Sequence, residues 1–283
     1  MKKPLSLAID IGATHTRLSA LPPDLHHLFH VEKHLTPLRA LPDLIPLIQS
    51  YLVKHSLKPV RMGISIAGQV RPDGSLSYAP NLNWSNIPLQ ETLQETFFIP
   101  VSVRNDAQAA TLAEWKLGNG KNLQNLVCIW IGTGIGGGII ANGELLQGES
   151  QTAGEIGHLL IQGNYLENLA GGRGIAKEAK ERLHHAISTE EVFTLAKNGH
   201  PIALTILHHA RSSLVEACVN IVHLLNPQKI ILGGSLPTYQ SEWFKDLEEE
   251  VSKKILPQAS RSFIIAPSSL GENAPLVGSL LLL

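Results

Sequence analysis

An Asn-Asp pair at positions 105 and 106 stands where one periodicity gives way to another. Before it, Ile99, Val101 and Val103 alternate with Pro100, Ser102 and Arg104, the period-two pattern of a strand. After it, Ala107, Ala109, Ala110, Leu112 and Ala113 are strong helix formers. A carboxylate at such a junction has two readings. Asp can cap the helix by accepting a free backbone N–H. It can also serve as a general base, because ligands of open α/β sheets gather beyond the carboxyl ends of the strands.

Two glycine-rich segments bear on that choice. Ile11-Gly-Ala-Thr-His-Thr16 separates the strand-like runs Leu5–Asp10 and Arg17–Leu21, so a hairpin is predicted. Its tip is either a plain turn or an anion-binding concavity of successive N–H groups. Gly132-Thr-Gly-Ile-Gly-Gly137 fits the spacing of a dinucleotide fingerprint, but that motif requires a helix directly after the glycines. Here a strand-like Ile139–Ala141 and an Asn142-Gly143 hairpin turn follow. The predicted unit is therefore strand, glycine turn over 132–138, strand. Two such hairpins suggest two related domains with a nucleotide between them, and Thr14 and Thr133 would be hydroxyl donors at the tips.

The elements that must position these groups follow from the pattern. Strands are predicted over 61–66, 126–131, 229–232 and 263–266, and helices over 41–55, 175–186, 189–198, 201–225, 241–255 and 274–283. Pro22–Pro37 and the stretch from Gly154 to Arg173 show no regular pattern. Pro80-Asn-Leu-Asn-Trp84 reads as a loop with two amides and an indole, suited to sugars and equally to a plain surface. Gly118-Asn-Gly120 is a candidate domain boundary.

Bulk composition narrows the classes. The chain has 283 residues, 43% hydrophobic and 17% charged, with a net charge of -1, so no basic excess argues for nucleic acid. No stretch is apolar enough to span a bilayer, no signal peptide is expected, and a cytoplasmic location is. Cys128 and Cys218 sit in apolar runs and read as small core residues. Among thirteen histidines, His26, His27, His30 and His34 cluster, as do His184-His185 and His208-His209. No metal-ligand spacing accompanies them, so solvated faces are expected.

Taken together the motifs resemble the ROK family (repressors, open reading frames and sugar kinases), within the sugar kinase, hsp70 and actin group. Asp10-Ile-Gly-Ala-Thr-His-Thr-Arg17 looks like the family's first phosphate hairpin, and Asn105-Asp106 like its catalytic segment. Gly132–Gly138 with Gly154-Glu-Ile-Gly-His158 is similar to its signature, and Leu232-Gly-Gly-Ser235 to its adenosine loop. The resemblance implies two actin- or hexokinase-like (ribonuclease H-like) α/β domains flanking a nucleotide and sugar cleft. The first would span 1–116, with the terminal helix 274–283 packed back onto it, and the second 117–273. It implies a cytoplasmic, homodimeric kinase that uses ATP and Mg2+ on the 6-hydroxyl of a hexose, glucose first, as in glycolysis. Neither nucleic acid nor a membrane is an expected partner.

Residue by residue, the resemblance makes Asp106 the general base. Asn81, Asn105, Glu155, His158 and Glu167 become sugar ligands. Gly12, Thr14, Thr133 and Gly134 would meet the phosphates, Gly233 and Gly234 the adenosine, and Asp10 would arrange magnesium through water. Two departures stand out. Ala13 replaces a glycine, which is tolerable unless φ is positive there. After His158 the family's zinc-binding cysteine loop is missing: Leu159-Leu-Ile-Gln-Gly-Asn-Tyr-Leu-Glu167 holds no cysteine, and Tyr165 stands near the last one. Zinc usually takes four ligands, so none is expected, and a carbonyl or Tyr165 is left to orient His158. The shortened loop also leaves the alignment of Glu167 open. Two alternatives share these motifs: a kinase of N-acetylmannosamine or N-acetylglucosamine, and a sugar sensor without catalysis. A DNA-binding regulator is disfavoured by neutral charge and by the early first strand.

Overall fold

A computed structural model of the chain describes residues 4–25, 27–260 and 263–281. Contacts gather them into two compact units. Unit 1 holds the chain up to Lys116, Gln147–Ala153 and the segment from Asn273; unit 2 holds Leu117–Leu146 and Gly154–Glu272.

In unit 1, β1 (Ser6–Ile11), β2 (His15–Leu21), β3 (Phe29–Leu35) and α1 (Ala40–Lys54) lead to β4 (Arg61–Ile66). A small meander of β5 (Gln69–Val70), β6 (Leu76–Ala79) and β7 (Trp84–Ile87) precedes α2 (Leu89–Phe97), β8 (Val101–Asn105) and α3 (Asp106–Leu117). The main sheet has the order β3-β2-β1-β4-β8, antiparallel through the first three strands and parallel from β1 to β8. Its parallel strands carry near-continuous apolar runs because both faces are covered: Leu7, Ile9, Ile11, Met62, Ile64 and Ile66 are all buried.

Unit 2 repeats that plan. Its strands are β9 (Leu126–Ile131), β10 (Ile135–Ala141), β11 (Glu144–Leu145), β12 (Leu160–Ile161) and β13 (Asn164–Tyr165). The helices α4 (Leu166–Ala170), α5 (Gly172–Leu183), α6 (Thr189–Lys197) and α7 (Pro201–Leu225) follow, then β14 (Lys229–Gly233). The chain continues with α8 (Ser235–Tyr239), α9 (Ser241–Phe244), α10 (Leu247–Ser252), α11 (Pro257–Ser260) and β15 (Ile265–Pro267). The order β11-β10-β9-β14-β15 is again antiparallel on one side of β9 and parallel on the other. The chain then returns to unit 1 through α12 (Ala274–Ser279). Gly63 and Gly278 allow that return: a Cβ at Gly63 would strike the Ser279 backbone, and one at Gly278 the Ala109 carbonyl of α3.

Several expectations are corrected. The glycine turn ends at Gly134, and Gly136, Gly137 and Gly138 lie inside β10. A Cβ at Gly137 would overlap Ile156 and lie 2.8 Å from the Gly154 carbonyl, so glycine serves close packing there rather than a bend. Within Pro22–Pro37 runs β3, whose pattern is inverted: Phe29, Val31 and Leu35 are exposed, while Glu32 and His34 are partly covered. The single helix expected over 241–255 is broken, with Asp246 at φ 64°. Arg211 explains the break, since its guanidinium holds Glu250 and the carbonyls of Trp243 and Lys245. The irregular stretch after His158 contains a hairpin and α4, and α5 starts at Gly172 rather than 175. The terminal helix ends at Ser279, with Leu282 and Leu283 outside the described residues.

Of the histidine cluster, His26 is outside the described residues. His34 and His55 bind Glu32 through Nε2, at 2.8 and 2.6 Å, and His30 stacks on His55. Lys54 reaches the same carboxylate at 2.8 Å. The Lys54 hydrogen bond, helped by those of His55 and His34 and opposed by burial, holds the Glu32 carboxyl down to about 2. A depressed carboxyl stabilises the fold above its ordinary value of 4.5, and that contribution disappears as pH falls through about 2. Glu32→Gln is therefore expected to lower the urea midpoint at neutral pH and to flatten the loss of stability between about 4.5 and about 2. An unchanged acid limb in the variant would contradict this.

Candidate functional site

The parallel strands of unit 1 end together. Ile11, Ile66 and Asn105 are register partners, so three connections leave one edge side by side: Gly12–Thr14, Ala67–Gln69 and Asn105–Asp106. This carboxyl edge is where open α/β sheets take ligands. Asn105 ties two of the connections, its Nδ2 donating to the Gly68 carbonyl at 3.1 Å. Its Oδ1 accepts the Gln108 N–H at 3.1 Å, one of the unpaired donors of the first turn of α3. Asn105 thus caps the Gln108 N–H, and Asp106 Oδ1 accepts the adjacent Ala107 N–H at 2.8 Å.

At the first hairpin, Gly12 donates to the His15 carbonyl at 3.0 Å, and its own carbonyl accepts from Thr36 Oγ1 at 2.7 Å. Ala13 is absent from the described residues with positive φ, which explains why its methyl is tolerated. Thr14 accepts the Thr36 N–H. Asp10, one residue short of the strand end, is paired on both oxygens, to Arg17 Nη2 at 2.8 Å and Ser65 Oγ at 2.8 Å. Arg17, Asp10, Ser65 and Arg104 are successive register partners and form a polar row across the sheet. Burial pushes the Arg104 guanidinium down, and its Nε has no partner among the described residues. Ser65 and Arg104 are not among the candidates drawn from the sequence; their signal is a polar residue on a strand beside Asp10 and Asn105. Asn81 is exposed in a short 3-10 turn, Pro80–Leu82, whereas Trp84 is core, with Nε1 donating to the Leu38 carbonyl.

Unit 2 has an edge of the same kind. The tip Gly132–Gly134 closes with Gly132 N–H on the Gly134 carbonyl at 3.0 Å. The Gly132 and Thr133 carbonyls accept the Gly172 and Arg173 N–H groups, both at 2.8 Å, so the start of α5 is bound to the tip. At the end of β14, a Cβ on Gly233 would run into the Trp130 ring, and Gly234 has φ 92°. Both glycines therefore have packing reasons of their own.

Beside that edge lies a polar group. Glu155 Oε2 is 3.5 Å from His158 Nδ1, and both side chains are partly exposed. A Cβ at Gly134 would lie 2.8 Å from Glu167 Oε2, and one at Gly157 would lie 3.3 Å from the Glu167 Cβ. The structure thus brings Glu155, His158 and Glu167 to one region of unit 2, next to the hairpin tip. Among the described residues no group of three or more His, Cys, Asp and Glu side chains could hold a metal. Zinc does not fit His158: one imidazole and one nearby carboxylate fall two donors short of its usual set.

The ROK family matches residues 6–283. The xylose repressor of Bacillus spizizenii is 30% identical over 293 residues, spanning 96% of this chain and 75% of the repressor. The glucokinase of Halalkalibacterium halodurans is 30% identical over 245 residues, 77% of this chain and 74% of that enzyme. A ROK family glucokinase from Streptomyces griseus, solved in complex with glucose and AMPPNP, superposes with a TM-score of 0.80 at 23% identity over 98% of each chain. That likeness fixes the fold, the actin-like fold of the sugar kinases.

The cap assignment has a measurable consequence. Asn105→Ala is expected to cost about 1 kcal/mol in urea unfolding, the usual value of an N-cap. Asp106→Asn, which can keep the Ala107 bond, is expected to stay within about 0.5 kcal/mol of the parent. The reverse order would make Asp106 the cap.

Proposed function

The chain belongs to the ROK family, and from that membership we propose that it is a hexose kinase transferring the γ-phosphate of ATP to the 6-hydroxyl of a sugar, glucose first. One observation carries the reading: at the carboxyl edge of the unit 1 sheet, Asn105 takes the Gln108 N–H, so that donor is capped without Asp106, whose carboxylate stands at the same edge. The glucokinase relative and the glucose and AMPPNP of the S. griseus enzyme support the chemistry.

Asp106 accepts the proton of the sugar hydroxyl as the oxygen attacks the γ-phosphorus, and the bond from phosphorus to the β,γ-bridging oxygen breaks, leaving ADP. In such transfers positioning and charge neutralisation supply most of the acceleration. Asn105 has one amide hydrogen and one lone pair beyond its two backbone bonds, enough for a neighbouring sugar hydroxyl. Asn81 is the second amide assigned to the sugar. In unit 2, Glu155, His158 and Glu167 bind further hydroxyls; a charged acceptor reads sugar stereochemistry strongly. Gly12, Thr14, Thr133 and Gly134 contact phosphates, and Gly233 and Gly234 let adenosine approach. Magnesium neutralises phosphate charge when bound. Asp10 fits the holding of its water shell through Oδ1, which accepts the single Ser65 bond, whereas Oδ2 takes both Arg17 Nε and Nη2.

A second reading has its own support in the relative named a xylose repressor. A sugar-binding protein without turnover would share the fold and the hydroxyl ligands. It would have no use for a carboxylate placed as a base. An N-acetylated amino sugar substrate would leave the mechanism unchanged and differ only in the acceptor.

Asp106→Asn decides between catalysis and binding alone. Loss of a positioned base is expected to lower kcat about 10²–10⁴-fold in a coupled ADP-release assay. The sugar KM should change little, since the amide keeps the shape. Full activity in a folded variant would refute the proposed base.

A further inference from the structure

We propose that Tyr165, presented by a tight hairpin, orients His158 in the place of a metal ion and thereby sets how firmly this chain holds its sugar. The proposal rests on the hydroxyl-binding role given above to His158.

His158 is half exposed, and an imidazole in that setting loses rotamer freedom only if neighbours restrain it. Two do. The Glu155 carboxylate lies 3.5 Å from Nδ1. The Tyr165 ring meets the imidazole edge to face, with centroids 5.3 Å apart and planes at 60°. That geometry is attractive between aromatic rings and limits rotation of the imidazole.

The ring can do this because its backbone is fixed. Leu160 pairs with Tyr165 and Ile161 with Asn164, leaving Gln162 and Gly163 as a two-residue turn. Both turn residues have positive φ, 51° and 81°, the demand of a type I′ turn. Ile161 is buried in the core of unit 2. Gln162 Nε2 donates to Glu216 Oε2 on α7 at 3.0 Å. At the base, Leu166 N–H donates to the Leu159 carbonyl at 2.9 Å, and Asn168 Nδ2 to Asn164 Oδ1 at 3.2 Å. Period-two alternation puts Tyr165 on the side of Leu160, opposite Ile161. The next residues begin α4 and deliver Glu167 to Gly134 and Gly157. One short hairpin therefore sets both His158 and Glu167, with no sulfur ligand in it.

The test compares Tyr165→Ala, Tyr165→Phe and each in a His158→Ala background, reading sugar KM, kcat and the imidazole proton resonances. Tyr165→Ala is expected to raise sugar KM about fivefold to tenfold, the worth of one aromatic pair, with kcat and ATP KM changed less than about twofold. Tyr165→Phe keeps the ring and recovers the parent KM. In the His158→Ala background the alanine change adds nothing, as coupling through the imidazole requires. The His158 ring resonances move in Tyr165→Ala and not in Tyr165→Phe. An unchanged KM in Tyr165→Ala, an equal rise in Tyr165→Phe, additivity with His158→Ala, or stoichiometric zinc whose removal abolishes sugar binding would each overturn the proposal. The resonances and sugar affinity by calorimetry need no turnover. A chain that binds sugar with the Tyr165 dependence but makes no ADP would sink the kinase reading alone.

Discussion

The first turn of an α-helix has N–H groups that the helix itself cannot satisfy, and in α3 part of that need is met from the residue before it. Asn105 accepts the Gln108 N–H and at the same time donates to Gly68, joining the end of β8 to the loop after β4. One amide therefore terminates a strand, starts a helix and braces a neighbouring connection. The position of the Asp106 side chain at the sheet edge depends on all three. An aspartate in place of Asn105 would still cap, but it has no donor for the Gly68 carbonyl.

Glycine carries two meanings along this chain, and only geometry separates them. In the segment 132–138, Gly132 and Gly134 make the tip, whereas Gly137 admits Ile156 and Gly154 to the face of β10. The segment Gly154–His158 is thus docked on the strand that carries the tip. Gly233 gives up its side-chain space to Trp130, and Gly63 and Gly278 let α12 lie against the unit 1 sheet and α3. A motif rich in glycine is as much a record of close backbone approach as of ligand contact.

The placement of the candidate residues was legible because they sit where periodicity changes: Asn105-Asp106 at a strand-to-helix switch, Gly12 and Gly132 at hairpin tips. The buried parallel strands were legible for the same reason that they fold, being apolar throughout. What stayed hidden depended on partners distant in sequence. β3 was invisible because its partly covered positions are Glu32 and His34, and its apolar Phe29, Val31 and Leu35 face outward. The break at Asp246 needs Arg211, thirty-five residues upstream in the chain. The order in 159–170 arises from a two-residue turn at Gln162-Gly163, and glutamine is not a residue that usually announces positive φ. Ser65 and Arg104 gain meaning only from their register with Asp10.

Membership of the ROK family places this chain among both catalysts and regulators, and the two differ in what becomes of ATP. Following phosphorus directly is the most decisive measurement: 31P NMR of the protein with MgATP and glucose, mannose, fructose or an N-acetylated amino sugar. A sugar kinase yields a new phosphomonoester signal that grows in equal amount with ADP for at least one acceptor. Intact ATP beside every sugar, or ADP accompanied only by inorganic phosphate, would contradict the account.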